Sequence, residues 1–374
     1  MSNLPLYHVV YQTVYDSIAS GKLPIGTKIP SEKELGEKFH VSRITVKTGL
    51  NMLVEQGLIK RRRGSGTFVL NTPSQAKSSK EHGTIGVIIS GLSDSYGKNL
   101  LITICDECDR KGYSVMLKIS HEDQQLERKY LKELLDEHVK GILILPVQKE
   151  FYNELLVSLL FSDFPVVIID RKLKNIRSTV VGVDNVGAAK EAANFLFSHG
   201  HRRIALLTQS NMHNSAIIDR IIGLRESYAL NGVLLDQSLW IENLISDYSE
   251  QSGSAEIEAD VSAIMEKLNN HPDITCLLSL DNHCATLAIE ALRRMRKTIP
   301  EDCSLFSFDT PKNIIASNNV SHIAQQEELI AQNSVQALLA TVEGEEAVPN
   351  EIVVPTLLED LGTVKDLSDQ RGSR

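Results

Sequence analysis

No apolar run in this 374-residue chain reaches the ~18–20 residues that a membrane-spanning helix needs, so a helical membrane protein is excluded. The first residues, MSNLPLYHVVYQTVYDSIASGK, hold no basic leader, no solid apolar stretch and no small-residue cleavage site. Secretion is therefore not expected, and the cytoplasm is the expected compartment. Cysteine is scarce: five residues, an odd number, are spread thinly, which fits reduced thiols and not a disulfide framework. Cys105 and Cys108 sit three apart on a predicted helix without a second ligand pair, so no metal site is expected there. Also missing are a P-loop, a nucleophile elbow and a helix with paired metal-binding histidines. No cofactor and no enzymatic role are expected.

What is present describes an ordinary globular chain, 42% apolar and 23% charged, long enough for two or three domains. Its charge is unevenly distributed. Residues 1–70 hold six Lys and four Arg against one Asp and four Glu, a net +5. The whole chain carries −9, so the remainder carries −14. A basic head on an acidic body predicts that the head meets a polyanion. The stretch 71–83, NTPSQAKSSKEHG, has no large apolar side chain and reads as a linker. The expected divisions are a head over 1–70, the linker, and a body over 84–365.

The head reads as three helices and a hairpin. Leu6, Val9, Val10, Thr13, Val14 and Ile18 recur at spacings of three and four, predicting one apolar stripe. Ser31 with Glu34 predicts a capping box for a short second helix ending near Phe39-His40. Ser42 is the predicted N-cap of a third helix with Val46, Gly49, Leu50 and Leu53 on its inner face. Two short segments, 58–63 and 67–70, flank Gly64-Ser65-Gly66 as a predicted hairpin. A tight turn before a helix with a basic start is helix-turn-helix geometry, and the hairpin makes it winged. The residues expected to face DNA are Ser31, Ser42, Arg43, Thr45, Lys47, Lys60, Arg61, Arg62, Arg63, Gly64 and Gly66. Arg43 is forked and cationic, suited to a guanine edge or a phosphate.

The segment IPSEKELGEKFHVSRITVKTGLNMLVEQGLIKRRRGSGTFV resembles the DNA-binding domain of the GntR family of bacterial transcription regulators. Two positions depart from the family pattern: Lys47 replaces a usual Arg and Gly49 a usual Ala.

The body alternates strand-like runs with amphipathic helices. Nine strands are predicted: 84–90, 113–119, 141–147, 165–170, 180–184, 203–208, 274–280, 304–308 and 351–357. Continuous Val/Ile runs such as VVIID suit parallel strands covered on both faces, and nine strands suit two doubly wound α/β lobes. The segments TIGVIISGLSD, PVVIIDR, VGVDNVGAAKEAANFLFSHGHRRIALL and PEDCSLFSFDT resemble the LacI-type, periplasmic-binding-protein-like domain. With the GntR-like head, the layout is similar to that of AraR-type sugar repressors.

That resemblance implies a ligand cleft between the lobes and a set of lining residues. These are Ser90, Asp94, Tyr96, Asp170, Arg171, Arg220, Tyr248, Asp281, Asp309 and Gln325, the last in a crossover segment. A polar residue after a strand also serves as a turn or helix cap, above all at Asp94 and Asp184. His199 and His201 bracket a glycine and read as a structural turn. The resemblance further implies a homodimer that binds double-stranded operator DNA under control of a small effector, a sugar such as arabinose. Leu280 and Thr310 depart from the family pattern and leave the effector open. Arg171 and Arg220 would also suit a phosphate or carboxylate. The rival readings are an activator, a sugar-processing enzyme with a DNA-binding appendage, and a transport component.

Overall fold

The computed structural model describes residues 5–62, 66–72, 83–92, 95–209, 213–246, 253–309, 320–344 and 348–368. The chain divides into two units, Met1–Gly83 and Thr84–Arg374.

In the first unit, α1 spans Leu6–Ala19, α2 Glu32–Phe39 and α3 Arg43–Glu55. Strands β1 (Ile59–Arg62) and β2 (Gly66–Val69) pair antiparallel, with Ile59 opposite Val69. The core gathers Val10, Val14 and Ile18 from α1, Leu35 from α2, and Val46, Leu50 and Leu53 from α3. The buried stripe of α1 is narrower than its spacing predicts. Leu6 and Val9 are 61% and 40% exposed and Thr13 is only half-buried, because the fully buried row is the one at i, i+4 and i+8.

Gly49 shows why a residue poor in helix propensity stands in α3. A Cβ there would lie 2.6 Å from the Tyr7 carbonyl oxygen and 3.2 Å from the Tyr11 amide nitrogen. The backbone of α1 thus lies against α3 at a point where only glycine fits.

In the second unit the strands form two six-stranded sheets. One has the order β4-β3-β5-β6-β7-β13, from Ser114–Ile119, Thr84–Ile89, Gly141–Ile144, Val166–Ile169, Thr179–Val183 and Glu351–Val354, all parallel. The other has the order β9-β8-β10-β11-β12-β14, from Ile241–Leu244, Ile204–Gln209, Cys276–Ser279, Ser304–Phe308, Ser321–Gln325 and Thr356–Glu359. Only β14 runs antiparallel to its neighbour. The described residues thus contain twelve strands here where the sequence predicts nine. Strand β9 is short, and β12 (SHIAQ) is polar by sequence yet buried along its length. Gln325 therefore ends a strand instead of lying in a connecting segment. The single predicted run 351–357 is two strands in different sheets, divided at Pro355, which has no N–H to give a ladder.

The described chain passes between these lobes at three places. After β7 it enters α7 (Asn185–Ser198), whose Ala189, Ala192 and Leu196 lie in the core of the second lobe. After β12 it enters α11 (Glu327–Val342), whose Ile330, Val335 and Leu338 return to the first lobe's core. The third passage is at Pro355. His201 ties down the C-terminal segment: its ring lies 2.8 Å from Thr275 Oγ1 and 3.1 Å from the Lys365 carbonyl oxygen. Burial lowers its pKa to about 4, so the imidazole is neutral near pH 7.

Gly49→Ala tests the α1–α3 contact. The substitution raises helix propensity by about 1 kcal/mol, yet the clash with the α1 backbone, ~1–3 kcal/mol or more for overpacking, should outweigh it and leave a net loss of up to about 2 kcal/mol. Chemical denaturation followed by circular dichroism should show the head unfolding at lower denaturant than in the parent chain.

Candidate functional site

Two surfaces concentrate the functional side chains, one in each unit. In the first unit, α2 is fixed by its capping box: the Glu34 amide donates to Ser31 Oγ (3.3 Å), and the Ser31 amide donates to Glu34 Oε2 (2.7 Å). Ser31 is thereby committed to the helix start. Ser42 caps α3, accepting from the Thr45 amide at 3.2 Å, and its hydroxyl lies 2.8 Å from Thr45 Oγ1. These hydroxyls set the angle at which α3 begins. Arg43 and Lys47 are exposed beyond them, one turn apart.

Ile44 lies between them at 78% exposure, an apolar side chain at the tip of a basic helix that the sequence reading passed over. On β1, Ile59 is buried and Lys60, Arg61 and Arg62 face solvent. Arg61 reaches Glu32 at 3.4 Å, and the Arg62 guanidinium lies 5.1 Å from the centre of the Phe68 ring. Gly66 has φ +114°, and a Cβ there would meet Lys28 Cε at 2.5 Å. Lys28 thus adds a cation beside the hairpin that sequence order did not suggest. Arg63 and Gly64 lie outside the described residues.

In the second unit, the strand order of each sheet reverses beside its first strand, between β3 and β5 and between β8 and β10. Open α/β sheets bind ligands at such points, outside the carboxyl ends of the strands. The side chains gathered there are mostly buried. From the first lobe come Ser90, which is 2% exposed, Tyr96, Asp170 and Arg171. Asp170 follows β6 with φ +64°, a left-handed backbone that is uncommon outside glycine. Its carboxyl is pushed above the usual range, chiefly by burial, with the charges of Arg171 and Arg220 opposing and Asp309 adding. The Tyr96 phenol is pushed well up by burial and by the carboxylates of Asp170, Asp309 and Glu327.

Arg171 holds Glu122 at both terminal nitrogens, 3.0 and 2.8 Å, and also reaches the Pro146 carbonyl at 3.3 Å. Burial pulls the Glu122 carboxyl up, but the Arg171 charge and hydrogen bonds outweigh it and leave it below its usual range. Glu122 was not anticipated from sequence: it lies in a turn after β4, again with positive φ (+55°).

From the second lobe comes Arg220, on α8 (Ser215–Leu230) and only 5% exposed. Its Nε donates to Asn185 Oδ1 at 2.9 Å and a terminal nitrogen donates to the Leu280 carbonyl at 2.6 Å. The guanidinium lies 4.2 Å from the centre of the Phe308 ring and 3.9 Å from Asp309 Oδ2. Such a group is stable in a dry site only because every side of it is compensated. Gly223 makes the position possible: a Cβ there would lie 2.2 Å from the Val186 carbonyl oxygen, so glycine lets α8 seat against α7 and carries Arg220 to Asn185.

Asp309, with φ +55°, takes the Gln325 amide side chain at 2.8 Å and its backbone N–H at 3.2 Å. Asp281 serves a different purpose. It caps α10 (Asn282–Arg294), accepting the Cys284 amide at 2.8 Å, because the first turn of a helix carries unpaired N–H groups that a short carboxylate satisfies. Asp184 likewise caps α7 through Gly187. Asp94, Tyr248 and Thr310 lie outside the described residues.

Gln148, also unforeseen, joins the lobes at this mouth. It is 4% exposed, donates to the Lys172 carbonyl at 2.8 Å and accepts the Ser215 amide at 2.7 Å. Two further buried atoms, Asp170 Oδ1 and Gln325 Oε1, find no hydrogen-bond partner among the described residues. Both are acceptors, and such groups are costly unless a donor reaches them.

Gln148→Ala should free the start of α8. The Ser215 amide is expected to lose at least about tenfold in hydrogen-exchange protection, the scale of one net hydrogen bond. Mass-spectrometric exchange on residues 213–220 reads this, and unchanged protection there would deny Gln148 its bridging role.

Residues 6–69 match the family described as bacterial regulatory proteins, gntR family, and residues 193–360 match the periplasmic binding protein-like domain. The arabinose metabolism transcriptional repressor of Geobacillus stearothermophilus is 26% identical over 309 residues, covering 82% of each chain. The transcription regulator CcpA of Lactococcus lactis superposes with a TM-score of 0.65 at 20% identity, over 76% of this chain and 99% of that one. A LacI family regulator of Enterococcus faecium with bound ribose gives 0.63 at 22% identity, over 76% and 100%. No helix among the described residues is long and apolar enough to cross a membrane. With its fold, its basic helix start and these matches together, the chain is a transcription regulator that joins a gntR-family DNA-binding domain to a periplasmic-binding-protein-like domain.

Proposed function

We propose that this regulator is a cytoplasmic repressor whose grip on operator DNA is set by a sugar bound in the cleft of its second unit. One observation carries the reading: a buried, compensated cluster around Arg220 leaves two acceptors, Asp170 Oδ1 and Gln325 Oε1, that the hydroxyls of a sugar would satisfy. The name of the Geobacillus relative puts arabinose first among candidates, and the ribose held by a neighbour of the same fold is in keeping with a pentose. The working divisions are the DNA-binding head over 1–70, a linker over 71–83 and the effector domain over 84–365.

Within the head, Arg43 and Lys47 extend from the start of α3, the end that helix-turn-helix proteins place in the major groove. Arg43 is assigned to base reading and Lys47 to a phosphate, with Ile44 available to a thymine methyl group. Lys60, Arg61, Arg62 and Arg63 are assigned to the backbone, and Gly66 to close approach beside them. Ser31, Ser42 and Thr45 act by fixing helix starts, whose N–H groups also face phosphate. Two heads on a homodimer would read two half-sites of a palindromic operator. Within the cleft, Arg220, Asp309 and Gln325 hold the sugar from one lobe, and Ser90, Tyr96, Asp170 and Arg171 from the other. Asp94 and Tyr248 remain candidates for contact with the sugar, and Asp281 supports the site through its helix cap.

Binding of the full chain to selected operator DNA, followed by fluorescence anisotropy, tests the head. Arg43→Ala should lose ~1–3 kcal/mol on the operator and far less on random duplex. An equal loss on both would make Arg43 a phosphate contact. For the cleft, sugar at 100 times its dissociation constant should raise stability by about 2.7 kcal/mol. Arg220→Ala, where circular dichroism shows it folded, should abolish that thermal shift while the head still binds operator without sugar; failure to fold would make Arg220 a structural residue. Retention of the shift would remove Arg220 from the site.

A further inference from the structure

We infer that the cleft selects an uncharged, hydroxyl-rich ligand and rejects phosphorylated or carboxylated forms of the same sugar, with Glu122 as the residue that sets this selectivity. The inference rests on the effector reading of the cleft and goes further by fixing the charge of the ligand. Two arginines face the site, which by themselves would suit an anion. Neither has charge to spare. Both terminal nitrogens of Arg171 are taken by the Glu122 carboxylate, in the forked geometry that a phosphate or carboxylate ligand would otherwise use. The Arg220 charge is balanced by Asp309 at 3.9 Å, and its Nε and one terminal nitrogen are given to Asn185 and Leu280.

Among the described residues the two guanidiniums are met by the carboxylates of Glu122, Asp170 and Asp309, with Glu327 acting on Tyr96 and Lys149 on Glu122 from further out. Among the described residues Asp170 makes no ion pair, although the charges of Arg171 and Arg220 both act on it.

The atoms left over point the same way. Gln325 is 8% exposed, and its amide orientation is forced: Asp309 only accepts, so the Gln325 NH2 must face it and Oε1 must face away. Oε1 and Asp170 Oδ1 are both acceptors lacking a partner among the described residues. A sugar hydroxyl donates to each and accepts from the remaining Arg220 N–H groups. The phosphate group of a sugar phosphate, as the dianion, has no proton for either acceptor and meets three carboxylates.

Isothermal titration of the full chain with matched sets tests this. The probes are arabinose, ribose, xylose, glucose and galactose, each beside its phosphate and its aldonate, together with inorganic phosphate. The expected result is binding of at least one neutral sugar, with its anionic forms weaker by about 100-fold or more, the scale of an uncompensated buried charge. Glu122→Gln, checked for folding by circular dichroism, frees Arg171 and should narrow that ratio at least about tenfold by offering a fork to the anion. If that variant does not fold, the wild-type ratio decides. A phosphate or aldonate that binds as tightly as its neutral parent overturns the selectivity and leaves a small-molecule sensor standing. A ratio unchanged in folded Glu122→Gln overturns the role of Glu122. Binding of no probe overturns the sugar reading itself.

Discussion

A single buried cation organises the second unit. The Arg220 guanidinium is out of water, where an uncompensated charge would cost several kcal/mol, so its surroundings must be built around it. Asn185 from the start of α7, the Leu280 carbonyl beyond β10, the Phe308 ring and Asp309 beyond β11 all converge on it. Three separated stretches of chain are thereby held in one geometry around α8. Gly223 is the steric condition for this, because no larger residue lets α8 approach α7 closely enough. Through Asp309 the constraint reaches Gln325, the last residue of β12.

From Gln325 the chain leaves one lobe and enters the other within two residues. Gln325 is bonded to Asp309 of the second lobe. The Glu327 carboxylate accepts the Gly97 and Leu100 amides, at 2.8 and 3.1 Å, at the start of the helix Lys98–Arg110 in the first lobe. The segment between the lobes is therefore fastened on both sides. Such a segment converts ligand contacts into relative lobe position only if the ligand prefers one arrangement over the other.

Much of this was legible in the sequence, for reasons that can be stated. The capping residues Ser31, Glu34 and Ser42 announce helix starts because their side chains act within three residues of themselves. The Val/Ile runs of β3, β5 and β6 announce buried strands because both faces are covered. Strand β12 was missed because its polar residues are satisfied by distant groups: Ser321 bonds Asp360, and Gln325 bonds Asp309. Local pattern carries no trace of such partners.

The cleft divides along the same line. Asp170, Arg171, Arg220, Asp309 and Gln325, named by family likeness, lie near one another beyond the strand ends. Glu122, Gln148 and Asn185 lie beside them, yet they sit in a turn, an irregular loop and a helix start, where polar residues are commonplace. Asp281 shows the converse, a residue in the right place whose carboxylate is spent on a helix end. Gly49 and Gly223 could be seen as unusual in a helix, but the backbone they accommodate is far away in sequence.

The central claim is that occupancy of the cleft and occupancy of DNA are linked in one chain. Operator affinity of the full-length protein, titrated at fixed salt with and without a saturating sugar identified by calorimetry, measures that link directly. Linkage predicts a change of ~5–150-fold in operator affinity and an equal reciprocal change in sugar affinity when operator is bound. Operator affinity that stays constant while the cleft is shown to be filled would contradict the account.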